Sequence, residues 1–170
     1  MPIKIAGRTP SIPLPTPAST GPKLAAADPK LVQNVAKLVK GTPLAGHEQT
    51  VVAAAQKYDV PVAFALAQFQ VESQMAQKGR GAVNKNPGNL RYAGQAGATN
   101  NGGFAKFGSL DQGITAYFQN LDRNYRGFLD RGDLVGLLNK YAPPSDGNNV
   151  SGYAKLMNQI VPSYEKTLGA

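Results

Sequence analysis

The stretch Phe64-Ala65-Leu66-Ala67-Gln68-Phe69-Gln70-Val71-Glu72-Ser73-Gln74 decides how the rest of the chain is read. It has the pattern of a mostly apolar helix that carries one carboxylate, Glu72, near its C-terminal end. Asp59-Val60-Pro61 breaks the preceding element and starts this one, whose Val62, Ala65, Leu66 and Phe69 are expected to face the core. The helical neighbourhood of Glu72 (Ala65, Gln68, Phe69) is small, amide or apolar. A carboxyl in such surroundings loses hydration, which raises its pKa and keeps a proton available near neutral pH. The plainer alternative is a surface glutamate near a helix end.

Downstream, residues 76–108 are rich in Gly, Asn, Gln and Lys, and Asn86-Pro87-Gly88-Asn89-Leu90-Arg91-Tyr92 is a turn-rich polar segment. Asn100-Asn101-Gly102-Gly103 is a turn signal between Asn89-Leu90-Arg91-Tyr92 and Phe104-Ala105-Lys106-Phe107, and predicts a small irregular hairpin. A loop region this long in a compact domain is usually functional or disordered, and this one directly follows the candidate acid. It contains no Asp or Glu between Ser73 and Leu110, so a second acid has to come from a distant element such as Asp111 or Asp146. Cleavage of a glycosidic bond usually takes two carboxylates. The missing partner predicts a one-acid mechanism in which the substrate supplies the remaining group.

The flanking segments predict helices. Asp28-Pro29 is an N-cap followed by proline at the first helical position, and Leu31, Val35, Leu38 and Val39 continue it as one apolar stripe to about residue 40. Gly41-Thr42-Pro43 ends it. A second helix is expected from Glu48 to Tyr58, with Val51, Val52, Ala55 and Tyr58 inward. Ser109-Leu110-Asp111-Gln112 opens another, with Ile114, Tyr117, Phe118, Leu121, Tyr125 and Phe128 on its apolar face. Leu134, Leu137 and Leu138 mark a short helix before Tyr141-Ala142-Pro143-Pro144, which is expected to be extended. The last helix starts near Val150 and carries Tyr153, Leu156, Met157, Ile160, Val161, Tyr164 and Leu168 as its apolar pattern, and Pro162 is expected to kink or interrupt it. Asp122, Asp130, Asp133 and Glu165 have the pattern of solvated carboxylates. The region 28–170 is thus read as one mainly α domain with a small β insertion.

Composition narrows the chemistry. There is no Cys, and His47 is the single histidine among 170 residues. Thiolate and His-pair metal sites are therefore not expected, nor is a Ser-His-Asp triad, and no cofactor is called for. The net charge of +8 favours polyanionic partners such as nucleic acid, acidic membranes or bacterial cell wall. The cations are scattered and the aromatic residues fall on core stripes, which places nucleic-acid binding third among the readings. No apolar stretch approaches the roughly 20 residues of a membrane span.

Residues 1–27 differ from the rest, with Pro2, Pro10, Pro13, Pro15, Pro17 and Pro22 among Ser, Thr, Gly and Ala. Proline fixes φ and removes a donor, so an extended, polyproline-like arm is expected, either a disordered tail or a docking arm. We read it as a docking arm. It shows no signal-type apolar segment, so export is expected by another route.

Ala55-x-x-Tyr58-Asp59-Val60-Pro61, then Leu66-Ala67 and Val71-Glu72-Ser73, resembles the lytic transglycosylases of the goose-type lysozyme superfamily. The series Asn86 to Tyr92, Phe104 to Phe107, Gly113-Ile114-x-Ala116 and Tyr141-Ala142-Pro143-Pro144-Ser145 resembles lysozyme-like proteins carried in bacteriophage particles. The likeness spans about residues 50–160. The Asn-Leu loop also resembles the endo-β-N-acetylglucosaminidases of cell-wall autolysins. Gly88-Asn89-Leu90-Arg91 stands where soluble transglycosylases have a Gly-Leu-Met-Gln-type segment, and Tyr141-Ala142-Pro143-Pro144 replaces their Tyr-Asn-Ala-Gly.

The resemblance implies a lysozyme-like helical fold and cleavage of peptidoglycan glycan strands. Glu72 would be the catalytic acid, and Ser73, Asn89, Tyr92 and Tyr141 would position sugar rings or acetamido groups. It further implies transglycosylation, with Glu72 turning base toward the muramoyl 6-hydroxyl. It also implies a place in a phage tail or interior, action in the host envelope, and contacts with other virion proteins through residues 1–27. The alternatives are a non-catalytic structural virion protein, a glucosaminidase, and a holin-released endolysin.

Overall fold

The computed structural model describes residues 26–169. Seven helices and one two-stranded sheet make up the described chain, in the order α1 (Pro29–Val39), α2 (Glu48–Lys57), α3 (Val62–Ser73), α4 (Gly79–Val83), β1 (Ala98–Asn101), β2 (Phe104–Phe107), α5 (Leu110–Asp130), α6 (Leu134–Tyr141) and α7 (Val150–Leu168). The expected arm at residues 1–27 lies outside the described residues except for Ala26 and Ala27, and Ala27 packs into the core.

Helix α3 lies at the centre because it is apolar on every side. All eight residues from Val62 to Phe69 are buried, Gln68 among them, whereas a single inward face of four was expected. A helix without a polar face has to be surrounded. It packs along α7, and α5 covers it with aromatic rings: Phe69 meets Tyr117 edge-on at 4.6 Å and Phe118 at 6.4 Å between centroids. Helices α1 and α2 close the remaining side of the core.

The local signals act as the sequence dictates at most ends. Asp28 caps α1 by accepting from the amides of Lys30 and Leu31, and Ser109 caps α5 through the amide of Gln112. Asp133 is not simply solvated, since its carboxylate caps α6 through the Gly136 amide. Asp122 and Asp130 flank Arg126, whose guanidinium also donates to the carbonyls of Tyr58 and Asp59 and so ties the α2–α3 turn to α5.

Three expectations are corrected. Helix α7 runs through Pro162 without interruption; Pro162 is exposed, so water can satisfy the carbonyl its ring leaves without a donor. Tyr141 closes α6, and Pro144–Asp146 form a 3₁₀ turn with proline at its first position, so the segment is extended only at Pro143. The hairpin pairs Ala98–Asn101 with Phe104–Phe107 across Gly102-Gly103. The Asn89–Tyr92 piece lies along the other edge of β2, held by an Arg91–Phe104 bridge, the Ala105 amide on the Leu90 carbonyl and the Tyr92 amide on the Gly103 carbonyl.

Residues 74–109 form a lobe over the C-terminal end of α3, and its shape comes from polar side chains. Gln74, Met75 and Ala76 all have left-handed backbone, with φ of 49°, 58° and 62° and no glycine among them. Such conformations cost of order 1 kcal/mol or more each and persist only where the surroundings over-determine them. Met75 and Ala76 are buried, and Ser73 gathers the turn by accepting from the Ala76 amide on its hydroxyl and from the Gln77 and Lys78 amides on its carbonyl.

Candidate active site

Glu72 sits in the last turn of α3, half-buried at the floor of a cleft of about 350 Å³ between the lobe and the α6–α7 connection. Two donors hold its carboxylate. The Tyr153 hydroxyl, from α7, donates to Oε1 at 2.6 Å, and the Asn89 amide donates to Oε2 at 3.2 Å and to the Glu72 main-chain carbonyl at 2.7 Å. No cation pairs with Glu72 among the described residues. Burial pushes its pKa above the ordinary 4.5, and the bonds from Tyr153 and Asn89 pull the other way without cancelling it. Burial likewise keeps the Tyr153 and Tyr141 hydroxyls protonated far into the alkaline range. The result is a carboxyl group that holds its proton to higher pH than an exposed one, at the floor of an open cleft. That is the requirement for a general acid.

The lobe places Asn89. Asn86 is buried and spends its whole amide on the backbone: Nδ2 donates to the carbonyls of Leu90 (3.0 Å) and Ala105 (2.9 Å), and Oδ1 accepts from the Leu90 amide (2.9 Å). The turn this fixes carries Asn89 in left-handed backbone, φ 51°, which asparagine tolerates better than most residues. Gly88 lies where the turn meets the core. A Cβ there would run into the Tyr117 ring and come within 2.9 Å of the Tyr141 hydroxyl, which donates to the Gly88 carbonyl.

The residues expected at the site therefore separate. Asn89 and Tyr141 line the cleft with Glu72. Ser73 does not reach it: buried, it shares its hydroxyl proton between the carbonyls of Pro87 (2.8 Å) and Phe69 (3.2 Å), so the expected substrate contact there is corrected to an internal anchor. Tyr92 is exposed and is not part of the cleft wall. Of the two distant acids, Asp111 is bonded by Thr50 (2.6 Å) and His47 (2.8 Å) where α5 starts beside α2, outside the cleft. Asp146 does line the cleft, paired with Arg91 at 3.2 Å. Sequence reasoning missed Tyr153, Tyr125 and Asn120. Tyr153 looked like one more apolar-stripe residue of α7, and only its hydroxyl's meeting with a residue 81 positions away gives it a role.

With this geometry in hand, comparison with known proteins is informative. Residues 48–166 match the family model described as Glucosaminidase: Mannosyl-glycoprotein endo-beta-N-acetylglucosaminidase. The chain belongs to the glucosaminidase family. The match covers the acid helix, the lobe and α7 as far as residue 166, so Tyr153 and Asn89, which bond the Glu72 carboxylate, lie inside the glucosaminidase region. No curated protein matches. Among solved structures, a type VI secretion system effector–immunity complex from Pseudomonas protegens is similar, with 16% identity, a TM-score of 0.55, and coverage of 84% of this chain and 96% of that one. At that identity the likeness concerns fold alone, and it agrees with the mainly helical, lysozyme-like architecture of the glucosaminidase domain.

Proposed function

We propose that this protein cleaves the glycan strands of peptidoglycan on the reducing side of N-acetylglucosamine, with Glu72 as general acid. The observation that carries the reading is a carboxyl with a raised pKa and no paired cation among the described residues, held by Tyr153 and Asn89 in a cleft of a glucosaminidase domain. Glu72 gives its proton to the glycosidic oxygen as the C1–O bond breaks. The 2-acetamido carbonyl oxygen of the same sugar bonds to C1 and forms a cyclic oxazolinium ion. Water then opens that ring, and the Glu72 carboxylate takes the water's proton. This route needs only one carboxyl to move protons; Asp146, the other acid lining the cleft, is paired with Arg91 in the free protein and is given no part in bond cleavage.

The same economy of carboxylates favours a second reading, lytic transglycosylation. There the muramoyl 6-hydroxyl attacks C1 and Glu72 takes the hydroxyl proton, closing a 1,6-anhydro ring. Mass spectrometry of digested peptidoglycan separates the two: reducing N-acetylglucosamine ends are expected, and anhydro-muramoyl ends would replace the first reading by the second. An E72Q protein that folds yet clears cell wall at the normal rate would sink both, whereas a folded wild-type protein that clears none would leave a non-catalytic lysozyme-like module.

For delivery, we propose that residues 1–27 dock the enzyme onto other proteins of a phage particle, which carries it to the host envelope. The support is the proline-rich composition of the arm beside a lysozyme-like domain. Deleting residues 2–27 is expected to leave wall hydrolysis by the purified protein intact while removing the protein from particles. Its absence from purified particles of the full-length form would refute the assignment.

A further inference from the structure

Charge is distributed unevenly around the cleft. The lobe, residues 74–109, carries Lys78, Arg80, Lys85, Arg91 and Lys106 and not one Asp or Glu. Lys85 is spent on the Gly108 carbonyl and Arg80 on the Gly102 carbonyl. Arg91 is the cation that lines the cleft itself, beside Phe104. Its guanidinium lies 4.4 Å from the centroid of the Phe104 ring, and the Arg80 guanidinium lies 4.5 Å from the same centroid. Stacking on an aromatic ring restricts the planar fork of an arginine while leaving its donors free.

Arg91 already has an anion in place. Asp146, from the opposite wall, meets it at 3.2 Å, with the two side chains 63% and 44% exposed. An ion pair this open contributes little, so a competing carboxylate displaces it at little cost. The wall of the cleft thus holds a pre-oriented guanidinium, in a lobe without acids, joined to a weakly held carboxylate of the protein's own.

We propose that Arg91 is the anion-recognising group of this cleft, exchanging Asp146 for a carboxylate carried by the glycan strand, and that the enzyme selects acid-bearing strands over neutral ones. This rests on the glycan-cleaving reading above and adds the chemical class of strand. Arg91 binds; it takes no part in bond cleavage. Asp146 shields it until substrate arrives.

The test measures binding, so that it does not depend on turnover. The E72Q protein is sedimented with insoluble peptidoglycan, either native or with its carboxylates converted to carboxamides by carbodiimide coupling to ammonia. Neutralising the wall is expected to weaken binding about tenfold, the scale of one charge-assisted hydrogen-bonded pair. Adding R91A should lower binding to native wall by a similar factor and abolish the sensitivity to neutralisation. R91K should keep the sensitivity in part, because charge survives while the fork is lost. D146N should tighten binding to native wall by about threefold, the size of an exposed pair removed. An amidase hydrolyses the lactyl–peptide amide, removing the peptide carboxylates and freeing a lactyl carboxylate on the sugar. Arg91-dependent binding that strengthens on such strands assigns the recognised carboxylate to the lactyl group, and binding that is lost assigns it to the peptide. If R91A leaves the response to neutralisation unchanged, the proposal is overturned. Wall cleavage by E72Q would overturn the assignment of the acid instead, and the two failures remain distinguishable.

Discussion

Two regions meet at Glu72 and are held by different forces. Beneath it, α3, α5 and α7 are fixed by burial of apolar surface: Phe64, Leu66, Phe69, Tyr117, Phe118 and Met157 are all essentially inaccessible to water. Above it, residues 74–109 have few buried apolar side chains and are held by Ser73, Asn86 and Asn89, whose polar groups replace the backbone bonds that an irregular chain cannot make for itself. The helical part resists deformation because close-packed side chains cannot shift independently. The lobe depends on a few hydrogen bonds, each shared among several backbone groups. An acid anchored in the first and a cleft wall shaped by the second give a fixed proton donor facing a surface that single polar substitutions can re-tune.

The contrast can be broken from either side, and the largest effect is expected at the junction. E72Q should lower glycan cleavage about a thousandfold, within the range general acid catalysis supplies. The same change should stabilise the fold at neutral pH. The native pKa of Glu72 is raised, so its ionised form is disfavoured in the folded state, and the stability linked to it is full below the unfolded pKa and lost as pH rises through the native one. The stability gain of E72Q over wild type should therefore shrink as pH falls through the raised native pKa and be gone below about 4.5, measured by thermal melts across pH.

Asn86→Ala attacks the lobe. It leaves the Leu90 amide and the Leu90 and Ala105 carbonyls without that partner in a buried setting and should cost about 3 kcal/mol in chemical denaturation. Exchange of amide protons in residues 84–107 should rise more than in α3. Uniform exchange across the molecule would show that the lobe and the helical part unfold as one unit.

Tyr153→Phe sharpens the comparison at the carboxylate. Losing the hydroxyl removes a bond that favours the ionised form, so the Glu72 pKa should rise further and the alkaline limb of the pH–rate profile should move up. The rate at the optimum should fall by about tenfold, the equivalent of one hydrogen bond to a charged group. An unshifted limb would mean that Tyr153 fills space and does not tune the acid.

The smallest effect belongs to the far end of the helical part. Asp28→Ala removes the α1 cap and should cost about 1 kcal/mol of stability with no change in activity, read from melting and wall-clearing assays together.

The division also explains which features were legible in the chain. Helix starts at Asp28 and Ser109, the apolar α3 and the acid at Glu72 are local properties, because capping and burial follow from residue type and helical spacing. Pro162 misled because the cost of a helical proline depends on whether its surroundings are wet, and periodicity does not report that. Ser73 and Tyr153 were misjudged for a related reason. A serine next to the acid became a buried anchor, and a tyrosine in a core stripe became the donor to that acid.

By itself, then, the sequence determined the helices, the buried acid helix, the basic and acid-free lobe, and the absence of a second carboxylate near Glu72 in the chain. Only the tertiary structure decided which polar groups meet there. Asn89 reaches Glu72 because a left-handed turn and Asn86 carry it back over α3, and Tyr153 reaches it because α7 packs along α3. Spacing along a chain fixes which side chains share a face of one helix. Contacts between distant segments are set by how whole elements pack, and those contacts turn one glutamate into a candidate acid.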